Sequence, residues 1–107
     1  MRLTAPLLAA LTLLGACSDP TATETDLAAL KAATNPFHQL SAAQAAGYDS
    51  QAPAGCFTDP AGAMGYHYMK SANVGTLEPT APQLLMYEPQ ANGSSTLVGE
   101  EFIVPGQ

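Results

Sequence analysis

His67, Glu88 and Glu101 are the residues of this sequence whose types suit them to hold a metal ion. His67 sits in Met64-Gly65-Tyr66-His67-Tyr68-Met69, Glu88 closes Leu84-Leu85-Met86-Tyr87, and Glu101 follows Glu100 ahead of Phe102-Ile103-Val104. All three blocks concentrate aromatic, β-branched and long apolar residues, so all three read as strands. If those strands are antiparallel neighbours, an imidazole and two carboxylates, one of them from Glu100 or Glu101, converge on one sheet face as a donor set for zinc or another divalent ion. The short His-x-His or His-x-x-x-His spacing of recognisable sites is missing. The same residues therefore also describe a hydrogen-bonded sheet histidine with carboxylates at strand edges or in solvent.

Two other groups of residues have types that can do chemistry. Cys56 lies eleven residues before His67, across a turn-rich stretch that can bring a thiol to a base, the minimum for a nucleophilic cysteine. A cysteine beside Phe57 is more often a buried or paired structural thiol, its disulfide partner lying in another chain or in a longer form of this one, or else a free thiol. Tyr66, Tyr68 and Tyr87, with Phe102, can make an aromatic face for a sugar, peptide or apolar ligand. Cross-strand aromatic pairs are also ordinary sheet stabilisers, which makes these residues candidates for the core as well. The sequence has no Gly-rich phosphate loop, nucleophile elbow, Cys-x-x-Cys pair or repeat.

The elements that must position these residues follow from periodicity and turn chemistry. Thr25 or Asp26 can cap a helix in which Leu27, Leu30 and Ala33 or Thr34 recur at helical spacing, and Asn35-Pro36 ends it. Ser41-Ala42-Ala43-Gln44 has the form of a capping box that starts a second short helix, closed by Gly47 in a left-handed conformation. Asp49 to Ala54 reads as loop, and Thr58-Asp59-Pro60-Ala61-Gly62 as a turn-rich connector. Strands are expected over 63–70, 83–88 and 96–104, the last two joined through Asn92-Gly93 as a hairpin. In the first, His67 and Met69 face away from Tyr66 and Tyr68; in the second, Leu84, Met86 and Glu88 face away from Leu85 and Tyr87. The fold class is α+β, two short helices packed on a small antiparallel sheet of about three strands.

The 107 residues carry three basic and nine acidic side chains, a net charge of −6. Such a surface repels phosphate backbones and anionic headgroups, which excludes nucleic acid as an expected partner. Arg2 precedes an apolar run, Leu3 to Leu14, that is shorter than the ~20 residues a membrane span requires and has the length of a signal-peptide core. The run ends in Leu14-Gly15-Ala16-Cys17, which resembles a bacterial lipobox, the cysteine of which is acylated and becomes the mature N-terminus. The resemblance implies a signal peptide over 1–16, lipidation of Cys17, a tether over 17–25 and a domain over 26–107. Ser18 after the cysteine goes with sorting to the outer membrane, facing the periplasm or the cell surface. Removing the leader leaves about 90 residues, a length at which buried surface is modest and a staple or partner helps.

The blocks Gly62-Ala63-Met64-Gly65-Tyr66-His67-Tyr68, Leu84-Leu85-Met86-Tyr87-Glu88-Pro89 and Val98-Gly99-Glu100-Glu101-Phe102-Ile103-Val104-Pro105, with the upstream Ala45-Ala46-Gly47-Tyr48, resemble a family of uncharacterised secreted bacterial proteins that carry the same blocks in the same order. The family implies an extracytoplasmic location and a common fold, with no activity to carry over. Its members continue into an aromatic segment with a further cysteine, so a partner protein or a longer C-terminus is expected to complete the sheet. The functional expectation is a membrane-anchored lipoprotein acting as a binding or envelope module without a cofactor. The alternative is a metal-dependent or thiol enzyme centred on His67 and Cys56.

Overall fold

Proline decides where the first helix ends. α1 spans Ala22–Thr34 and stops before Asn35 and Pro36, which open a 3-10 turn, Asn35–His38, because proline disfavours helical geometry in the residue ahead of it. The computed structural model describes residues 22–104, so the expected leader and the lipobox cysteine lie outside the described residues. α1 begins at Ala22, ahead of the expected caps Thr25 and Asp26, and the last four residues of the expected tether are therefore helical. Among the described residues no helix is long and apolar enough to cross a membrane.

α2 spans Leu40–Ala45 and is capped by Gln39, whose carbonyl accepts from the Ala42 and Ala43 amides without any side-chain cap. The expected capping box is therefore not formed, and Ser41 lies inside the first turn. The C-terminus behaves as expected. Gly47 takes φ +101°, the Tyr48 amide reaches back to the Ala43 carbonyl and the Gly47 amide to that of Gln44, which is the paired bonding of a Schellman motif. That reversal drops Tyr48 into the core.

Among the described residues the sheet has four antiparallel strands in sequence order: β1 Ser50–Asp59, β2 Gly62–Met69, β3 Leu84–Pro89 and β4 Ser95–Glu101. Three were expected. β4 ends at Glu101, short of the expected Val104, and β1 occupies a stretch that reads as loop and connector. Pro53 and Gly55 conceal β1 in the sequence, yet both are tolerated because β1 is an edge strand and they fall in an irregularity. Pairing runs Gln51↔Tyr68 and then Cys56↔Tyr66, so Ala52 to Gly55 face the single residue His67. A two-residue turn, Pro60-Ala61, joins β1 to β2, and the Asp59 carboxylate accepts from the Ala61 amide at 2.7 Å. The β3–β4 hairpin forms as expected around Gly93, with the Gln90 amide donating to the Ser94 carbonyl at 2.8 Å.

Among the described residues, helices cover one sheet face only. Ala43, Tyr48, Leu85 and Tyr87 form the buried core, and Phe37, Leu40, Ala46, Tyr68 and Leu97 pack against it. Ala43 is the small residue that lets α2 approach the sheet, and it is fully buried. At the end of α1, Thr34 Oγ1 stands 2.9 Å from both the Leu30 carbonyl and a Glu100 carboxylate oxygen. Its one proton serves one acceptor at a time, and either bond ties the helix end to the chain around it. Between β2 and β3, the Tyr48 hydroxyl and the Asn73 amide both donate to the Pro82 carbonyl, each at 2.9 Å. Gln83 is wholly buried and fully engaged: its side-chain amide donates to the Thr76 carbonyl and its oxygen accepts from the Ile103 amide.

The core tyrosines make stability depend on alkaline pH. Burial first, and then Tyr48, Tyr68 and Glu100, push the Tyr87 phenol from 10.0 up to about 12; burial also raises Tyr48, against the hydrogen bond from Asn73. A phenol raised in the folded state contributes nothing pH-dependent below its unfolded value, and stability is lost as pH climbs from that value through the folded one. Thermal melts followed by circular dichroism should therefore be flat up to about pH 9 and fall steeply beyond pH 10. Tyr87→Phe should shallow that fall while costing about 1 kcal/mol for the hydroxyl's 2.6 Å bond to the Phe37 carbonyl. An equally steep fall in Tyr87→Phe would assign the alkaline transition to other groups.

Candidate functional site

The sheet face turned away from the helices carries the candidate site. Since Leu85 and Tyr87 point into the core, Leu84 and Met86 alternate to the other side. Register adds the rest: His67 lies opposite Met86, Met69 opposite Leu84, and across β3 Gly99 stands opposite Met86 and Glu101 opposite Leu84. From β1, Phe57 pairs with Gly65 and sets its ring edge-on to the His67 imidazole, centroids 5.8 Å apart and planes at 86°. His67 is thus the centre of a face built by all four strands.

Its polar contacts are few. His67 is 4% exposed. Nε2 stands 3.7 Å from Glu101 Oε1, beyond hydrogen-bond length but well within ion-pair range, and the Glu101 side chain remains about a third exposed at 35%. Nδ1 is buried with no hydrogen-bond partner among the described residues. Leaving such a nitrogen unpaired costs about 1–3 kcal/mol, a large expense for a small domain. The Glu101 carboxylate faces Nε2, so the nitrogen left without a partner is the one turned away from the carboxylate.

Of the expected metal set, His67 and Glu101 come together and Glu88 does not. Glu88 pairs with Thr96 near the far end of β3 and is exposed. Among the described residues no group of three or more His, Cys, Asp and Glu side chains is placed to hold a metal ion. The expected thiol and base are also separated. Cys56 pairs with Tyr66, the neighbour of His67, and alternation sends the two side chains to opposite faces. Among the described residues Cys56 has no disulfide partner; it is exposed and its thiol reaches the Phe57 carbonyl at 3.8 Å. With Met64, Gly65, Glu88, Pro89 and Val98 it lines an open groove of about 430 Å³.

The aromatic trio does not form an open ligand face. Tyr87 is fully buried, its hydroxyl engaged by the Phe37 carbonyl, and the Tyr68 ring meets it edge-on at 5.7 Å and 87°. Tyr66, opposite Tyr87, is half-buried on the same covered side. Aromatic type and alternation are the same for a core and for a binding face, and the helices decide between them. Phe57, Met69 and Met86 are the site residues that sequence reasoning missed. The alternation already placed Met69 beside His67 and Met86 away from Tyr87; the missing quantity was the β2–β3 register.

The chain matches no family model, and no curated protein or solved structure shows significant similarity to it.

Proposed function

We propose that this protein is a lipid-anchored extracytoplasmic binding module. Cys17 carries the acyl chains, a few residues link it to α1, and the ligand is taken on the sheet face centred on His67. The observation that carries the binding reading is the buried Nδ1 of His67, unpaired among the described residues in the middle of the face that their helices leave uncovered. The separation of Cys56 from His67 and of Glu88 from both favours binding over catalysis, since neither expected catalytic set is assembled. The anchor reading rests on the apolar run and the Leu14-Gly15-Ala16-Cys17 sequence directly after it. More than one acyl chain holds a protein stably on a bilayer where a single chain does not.

Cells fed an alkyne analogue of palmitate should label the wild-type chain and leave Cys17→Ser unlabelled. The wild-type chain should also give a mature N-terminal peptide that starts at acylated Cys17. An unlabelled wild-type chain, or label that persists in Cys17→Ser, would remove the lipoprotein reading.

A further inference from the structure

The uncovered face joins three donors of related chemistry. His67 and Met69 are two apart on β2 and so share a side, and Met86 is the direct cross-strand partner of His67. Directly opposed residues in an antiparallel pair hold their Cβ atoms about 4.5–5.5 Å apart, a separation that one coordinated ion bridges. On the other side of Met86 stands Gly99, and the thioether methyl of Met86 occupies the place a Cβ at Gly99 would take, with the sulfur 4.0 Å from that position. The thioether therefore lies over Gly99 on an unbranched, torsionally free chain, beside the strand that carries His67, and a metal site needs that chain to turn from Gly99 to the imidazole.

Two features prepare the histidine. Glu101 stands beside Nε2 at ion-pair range, the side of the ring on which an outer carboxylate orients a ligating imidazole. Among the described residues Nδ1 is buried and without a partner, so in the neutral tautomer protonated at Nε2 it offers a lone pair. A metal ion at Nδ1 would recover the free energy that the unpaired nitrogen costs.

The donor types choose the ion. Thioether sulfur is soft and uncharged, suited to Cu(I), while calcium, magnesium and manganese require oxygen ligands. Among the described residues the carboxylate paired with the ring is that of Glu101, so the local charge balances a monocation and leaves a dication short. We propose that His67, Met69 and Met86 form a site for a soft monovalent cation, Cu(I) or its redox-inert analogue Ag(I), with Glu101 as the positioning carboxylate. This site rests on the binding reading above and names its ligand.

The test uses the full chain in detergent with Cys17→Ser and Cys56→Ser, so that neither thiol competes for the metal. Cu(I), kept reduced by ascorbate, is titrated against bicinchoninate, whose coloured complex reports withdrawal. The thiol-free chain should withdraw one Cu(I) per molecule. His67→Gln and Met86→Leu should each weaken binding by on the order of 100-fold, and Glu101→Gln by about 10-fold. Met86→Leu conserves volume, so its melting curve should match that of its parent and separate ligand loss from unfolding. No withdrawal by the thiol-free chain, or withdrawal unaffected by either His67→Gln or Met86→Leu, would overturn the site. The anchor is read independently by the acyl label, so a labelled chain that withdraws no Cu(I) keeps the lipoprotein reading and loses the metal.

Discussion

Tyr87→Ala is expected to remove a third or more of the protein's stability. Tyr87 is fully buried beside Leu85, Ala43 and Tyr48, the one place where the sheet, α2 and the turn after α2 meet. Removing a buried aromatic ring costs about 3–5 kcal/mol in lost transfer energy and cavity formation. The lost hydroxyl leaves the Phe37 carbonyl without its donor and adds about 1 kcal/mol more. Residues 22–104 form a domain whose whole stability is on the order of 4–12 kcal/mol at the usual ~0.05–0.15 kcal/mol per residue. The substitution thus consumes a third of that stability at the least. Urea unfolding should show a midpoint far below that of Tyr87→Phe, which keeps the ring against Tyr68 and forfeits only the hydroxyl. A Tyr87→Ala midpoint within experimental scatter of wild type would mean that the core lies elsewhere.

That core was only half legible in the sequence, and particular residues show why. Asn92-Gly93 between two apolar runs specified the β3–β4 hairpin because turn chemistry is local, and Gly47 specified the end of α2 for the same reason. β1 was hidden because an edge strand tolerates Pro53 and Gly55, and strand signals are calibrated on residues that fill a ladder. Alternation failed inside β4 as well. Tyr87 pairs with Leu97 but Met86 pairs with Gly99, so Val98 is an inserted residue and Leu97 shares the helix-covered side with Glu100 rather than opposing it. The candidate site suffered most from such insertions. His67, Glu88 and Glu101 looked equivalent along the chain, but register put Glu101 at 3.7 Å from the imidazole and left Glu88 at the other end of β3. Met86, which no metal-ligand spacing would have picked out, became the residue directly opposite His67. Residue types and faces are read from one strand at a time, whereas a site on a sheet is a property of the pairing between strands.

Gly65→Ala tests that pairing at its tightest point, and it is expected to destabilise the protein by about 2–4 kcal/mol. Two independent costs combine. Gly65 holds φ +83°, a left-handed conformation that costs a residue with a Cβ roughly 1–2 kcal/mol. A Cβ there would also stand 2.5 Å from the carbonyl oxygen of Tyr87, a contact that real Cβ atoms do not make. The obstructing atom belongs to the backbone of the central strand β3, so relief requires moving β2 against β3 rather than turning a side chain. Gly65 has this geometry because pairing steps from Phe57↔Gly65 to Thr58↔Ala63, leaving Met64 as an inserted residue in β2. The insertion also sets which way the next residues face, and with it the position of His67 opposite Met86. Gly65→Ala should therefore lower the urea midpoint and, in the molecules that still fold, weaken Cu(I) withdrawal as well. Gly75→Ala is the matched control, since Gly75 has φ +89° but open space around it, and it should show the conformational cost alone. Equal destabilisation by the two substitutions would mean that the close approach to Tyr87 contributes nothing, and that β2 and β3 can shift apart at the bulge without loss.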